Sequence, residues 1–154
     1  MSNQKEIAKE DYKESMETSY CVSKRFGSIT FQEAIDQVKA ALESEGFDVI
    51  MQFDMHEHVK KSLKKEISRY TVLGACHAPL AMEVLSAENK AGIMLPCNVL
   101  VQDLDLEGMI EISVVDPSIT FSLAGNDELK QVGAKAKSGI HQILNNIENQ
   151  NMKL

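Results

Sequence analysis

Apolar residues recur as Phe31, Ala34, Ile35, Val38, Ala41 and Leu42, the spacing of three and four that lines one face of an α-helix. Thr30 and Glu33 stand just ahead of that run at the S/T-x-x-E spacing of a capping box, and Gly46 supplies a left-handed stop. Upstream, Tyr20, Val22 and Phe26 predict a strand that Gly27 interrupts; downstream, Phe47 to Phe53 predicts a second strand. Asp54 is placed to cap a shorter helix through Val59, Leu63 and Ile67, with Lys60, Lys61, Lys64 and Lys65 on a solvated face.

Arg69 to Cys76, with Tyr70, Val72 and Leu73, reads as a buried strand. Pro79 suits the first turn of a helix through Leu80, Met82, Val84 and Leu85, so strand hands over to helix near Cys76 and His77. After Pro96 the period becomes two. Val99 and Val101 share one face of a strand from Cys97 to Leu104, opposite Asn98 and Leu100. Asp105 to Gly108 forms a turn, and Ile110, Ile112 and Val114 alternate with Glu111 and Ser113 in a hairpin partner that Asp116-Pro117 ends. Beyond Asn126, the stripe Leu129, Val132, Ala136, Ile140, Ile143, Leu144 and Ile147 predicts a long amphipathic helix.

These periods together predict one α+β domain over residues 20–148, an antiparallel sheet with helices packed mainly on one face. Residues 1–19 are polar and mostly charged, a flexible tail without a face to bury, and residues 149–154 read as a frayed C-terminus. A chain of 154 residues with 44% hydrophobic and 25% charged residues has the makings of a single core. The net charge of −7 would repel a phosphate backbone, which argues against nucleic acid as a partner. No apolar run approaches the roughly 18–20 residues that span a bilayer, and the polar start does not read as a secretory signal. Cys21, Cys76 and Cys97 are too few for a secreted disulfide framework, so reduced thiols in a cytoplasm are expected.

Three phrases stand out: Tyr70-Thr71-Val72-Leu73-Gly74-Ala75-Cys76, then Pro79-Leu80-Ala81, then Gly92-Ile93-Met94-Leu95-Pro96-Cys97-Asn98-Val99. In these the chain resembles the bacterial and archaeal domain of unknown function 302 family, with Gly46-Phe47 and Asp116-Pro117 in keeping and the likeness running from about Tyr20 to Asn146. The resemblance implies a fold similar to the TATA-binding-protein-like arrangement, often as a homodimer, and implies no activity. His77-Ala78 departs from the Asn and Pro associated with that position in the family.

Cys76 is the leading candidate for chemistry, because a thiol beside a helix N-terminus is favoured as thiolate. Cys97 approaches it if the two strands are neighbours, which would make a reactive dithiol, a redox pair, or two ligands for a soft metal or a haem. The competing reading is that both are small packing residues of the core. His77 joins them on one ion only if the backbone turns at the helix start. Asp54, His56 and His58 would share a face on a strand, but a helix from Asp54 splays the two histidines apart.

No nucleotide-binding glycine motif, nucleophile elbow or H-E-x-x-H zinc motif occurs, and carboxylates such as Asp103 and Asp116 read as ordinary strand-end solvation. Whether the chain is an enzyme is therefore open. The functional choice lies between a small-ligand, metal or haem site at Cys76, His77 and Cys97, a structural or protein-interaction domain, and a thiol-redox accessory protein.

Overall fold

The computed structural model describes residues 18–106 and 108–152. Five strands, β1 (Cys21–Phe26), β2 (Asp48–Asp54), β3 (Tyr70–Cys76), β4 (Cys97–Asp103) and β5 (Ile110–Val115), form one sheet in the order β1-β5-β4-β3-β2. Every neighbouring pair is antiparallel. The helices are α1 (Phe31–Ser44), α2 (Met55–Leu63), α3 (Ala78–Ala87), α4 (Pro117–Ser122) and α5 (Asp127–Met152), with a 3-10 helix at Asn89–Met94.

The alternation read from β3, β4 and β5 decides which face is packed. Leu73, Ala75, Val99, Val101, Ile112 and Val114 all point to one side, where they meet the apolar stripes of α1 and the second half of α5 in the main core. A smaller second core joins Val84 of α3, Ala91 of the 3-10 helix, Phe121 of α4 and Leu129 and Val132 of α5. Residues of the opposite sheet face, including Tyr70, Val72, Leu100, Gln102 and Glu111, belong to neither core.

Local chemistry accounts for the boundaries. The capping box at α1 forms as the sequence predicts: Glu33 N–H donates to Thr30 Oγ1 (3.1 Å) and Thr30 N–H to Glu33 Oε2 (2.7 Å). Gly46 then turns the chain at φ +81°, a conformation a side chain resists. Gly74 has another reason to lack a Cβ: one added there would sit 2.9 Å from Pro96 Cγ and collide with Met51. Gly133 lets α5 cross α4 closely, since a Cβ would lie 2.8 Å from the carbonyl oxygen of Pro117.

Several expectations are corrected. Asp54 sits at the N-cap of α2 without capping it by its side chain; its Oδ1 accepts instead from Thr71 Oγ1 (2.7 Å), a buried partner on β3. That helix stops at Leu63 with Lys64 left-handed, and none of its residues is buried, so Ile67 lies beyond its end and exposed. Asp116-Pro117 ends β5 but also starts α4, an element too short for periodicity to reveal, with Asp116 Oδ1 accepting from Ser118 N–H (2.9 Å). The last helix, α5, runs on to Met152, where Asn151 Nδ2 donates to Gln37 Oε1 (2.7 Å) on α1. Of the expected flexible tail, residues 1–17 lie outside the described residues; Tyr20, the first residue of the expected domain, accepts a backbone bond from Asp116 N–H (2.8 Å). No helix among the described residues is long and apolar enough to cross a membrane.

Candidate functional site

β3 and β4 are neighbours, and their register sets Ala75 opposite Cys97. Cys76, one residue on, therefore lies diagonally across from Cys97 at the end of the sheet where α3 begins. Both cysteines line a small apolar cavity of about 20 Å³ closed by Phe47, His77, Leu80, Val84 and Phe121 among others. That space holds about one water-sized guest, and it is far below the roughly 300–1,000 Å³ of pockets that enclose drug-sized ligands. A haem does not fit this closed form.

All three cysteines are free thiols of intermediate exposure. Burial pushes the Cys97 thiol up to about 11, and the nearby Cys76 adds to that rise, so Cys97 is protonated at neutral pH. Cys21, by contrast, sits on edge strand β1 with Thr18 Oγ1 at 2.7 Å and Ser23 Oγ at 3.7 Å from its sulfur.

His77 is the N-cap of α3. Leu80 N–H donates to its Nδ1 (3.3 Å), and the ring leans on Phe47 with centroids 5.2 Å apart. The helix start that was expected to favour a Cys76 thiolate thus already has a side-chain acceptor, and it is histidine. The cap also fixes the tautomer: an imidazole whose Nδ1 accepts carries its proton on Nε2, which leaves neither nitrogen of the neutral ring open to a metal. Nε2 faces Gly46, where an added Cβ would approach it to 3.3 Å. Among the described residues no group of three or more His, Cys, Asp or Glu side chains is arranged to hold a metal ion.

The other histidines go to separate places, as the helix from Asp54 implies. His56 Nδ1 lies 3.0 Å from the backbone nitrogen and 3.1 Å from the backbone oxygen of Tyr70, standing in for strand pairing where β2 has ended. His58 stacks near Phe53, with centroids 5.5 Å apart. Asp103 pairs with Arg69 (2.8 Å), and buried Asp116 pairs with Lys137 (3.1 Å). Burial pushes the Asp116 carboxyl up, but bonds from Ser118 and Lys137 outweigh it and hold it below the ordinary range.

Sequence reasoning missed the apolar half of the cavity. Phe121 and Val132 come from α4 and α5, far from both cysteine phrases, and nothing local marks them as neighbours of Cys97. It also missed a polar row on the sheet face outside both cores, part-buried Arg25 and Gln102 around buried Glu111, because an alternating glutamate looks like a solvated one.

The family model described as domain of unknown function DUF302 matches residues 22–147. Among solved structures, the chain is similar to the crystal structure of an uncharacterized conserved DUF302 protein from Bacillus stearothermophilus. The TM-score is 0.78 at 21% identity, covering 84% of this chain and 99% of that one. No curated protein matches the chain significantly.

Proposed function

This chain belongs to the DUF302 family, a family without an assigned activity, and on that footing we propose that it is a cytoplasmic binding domain whose site is the Cys76–Cys97 dithiol. One observation carries the reading: two cysteines from separate phrases of the sequence line the same apolar cavity. A small guest held there is shielded from water by α3 and α4. His77 contributes by fixing the start of α3 over the cavity.

The domain acts as a homodimer in this reading, supported by a sheet face whose described residues lie outside both cores. The net charge of −7 supports a partner other than nucleic acid.

Alkylation of the reduced native protein with mass readout tests the dithiol. Cys76→Ser removes one of the causes that raise Cys97, so Cys97 reacts at lower pH in that variant, while Cys21 keeps its rate. Cysteines that label independently of one another overturn the reading. They favour the competing one, an interaction domain in which Cys76 and Cys97 are packing residues, which the closed apolar walls support.

A further inference from the structure

We propose that the guest of the Cys76–Cys97 site is a soft monovalent metal ion of the Cu(I) class, held by the two sulfurs alone; this rests on reading the pair as a binding site. Four features of the cavity select that ion. The donors present are two thiols, and no cluster of three His, Cys, Asp or Glu side chains is available among the described residues. Zinc in structural sites takes four ligands, so two sulfurs leave it half satisfied.

His77, the one nitrogen donor in the wall, is committed. Its Nδ1 accepts the Leu80 N–H that starts α3, and recruiting it as a ligand would uncap the helix. The remaining lining, Phe47, Leu80, Val84, Leu95 and Phe121 among others, is apolar and offers no oxygen to a hard cation. Finally, about 20 Å³ admits one bare ion and no hydrated one.

Soft d10 ions accept two thiolates without further donors, and thiolate is the ligand class that selects them. The step is an exchange: two S–H protons leave to solvent, two S–Cu bonds form, and the oxidation state of copper does not change. The product, a bis-thiolate with one net negative charge, places less charge in the apolar cavity than two bare thiolates would.

The test is anaerobic titration of the reduced full chain with Cu(I) against a competing chelator, with Ag(I) as a redox-inert surrogate and Zn(II) as the contrast. One equivalent of Cu(I) or Ag(I) per chain is expected, with X-ray absorption showing two sulfur neighbours and no nitrogen. Zn(II) is not retained against the chelator. Cys76→Ser and Cys97→Ser each lose the tight equivalent, and Cys21→Ser keeps it. Retention of Zn(II), a nitrogen in the coordination shell, or Cu(I) binding that survives either cavity variant overturns the ion assignment. No Cu(I) binding, with Cys76 and Cys97 still coupled in alkylation, overturns the ion but leaves the dithiol site standing; loss of that coupling removes both.

Discussion

Arg25 Nε donates to Glu111 Oε2 at 2.8 Å across β1 and β5, on the sheet face that contributes to neither core, yet Glu111 is only 3% exposed. Gln102 Nε2 donates to the other carboxylate oxygen at 3.0 Å. A carboxylate this shielded needs its cation, because removing one partner of a buried pair leaves the other charge without water or counter-charge.

Arg25→Ala is therefore expected to destabilise the fold by about 3–5 kcal/mol, the range for breaking a buried pair from one side. Glu111→Gln in the Arg25→Ala background should recover part of that loss. Urea unfolding of the single and double variants measures both, and a single-variant cost below about 1 kcal/mol would show that the pair behaves as an exposed one.

Gly74→Ala forces its new methyl toward the rigid Pro96 ring, 2.9 Å away, and against Met51. A loss of about 1–3 kcal/mol is expected for this overpacking. Gly27, where an added Cβ meets nothing within 4 Å among the described residues, is the contrast site, and the same substitution there should stay within about 0.5 kcal/mol. Comparing unfolding midpoints of the two variants checks the claim.

His77→Ala removes the acceptor for Leu80 N–H and should cost about 0.5–2 kcal/mol, whereas His77→Asn keeps a capping oxygen and should recover most of it. Thermal unfolding distinguishes them. If alanine and asparagine behave alike, the cap contributes nothing and His77 is held by Phe47 alone.

The alkaline limb of stability carries the signature of Cys97. Its folded value, about 11, lies above the ordinary thiol value of 9.0, so between them the unfolded chain has lost a proton that the native chain retains. Stability is intact below about pH 9 and falls as pH rises toward 11, on the order of 2–3 kcal/mol in all. Cys97→Ala should flatten that limb in urea melts across pH 8–11; an unchanged slope would place the titrating group elsewhere. Asp116 works in the opposite sense: with its carboxyl held low, stability present at neutral pH is lost as pH falls through the acid range.

Light scattering on the full chain at micromolar concentration is expected to return twice the monomer mass. A monomer would remove the dimer from the proposed function without touching the cysteine site.

What the residues reveal before folding depends on how local the cause is. The α1 cap, the β4–β5 alternation and the strand-to-helix junction at Cys76 and His77 are all written within a few neighbouring positions, and each is where its pattern implies. Proximity of Cys76 to Cys97 is a matter of register, Ala75 opposite Cys97, which no window of the sequence contains. Glu111 and Ser113 alternate like solvent-facing residues but are buried, because a period of two separates faces without saying what neighbouring side chains lie across them. The cap was foreseen on Asp54 by residue type; tertiary contact with Thr71 claimed that carboxylate instead.

The pairing of β2 with β3 slips between Val49 and Met51, so the outer strand carries one residue more than its partner across that stretch. Its free edge is bent, and its amide and carbonyl rows fall out of step along their length. An extended chain arriving there can match the donors on one side of Ile50 or on the other but not both, so the ladder ends where β2 ends. Ile50 and Met51 remain exposed on that margin without offering a straight template for fibril-like stacking.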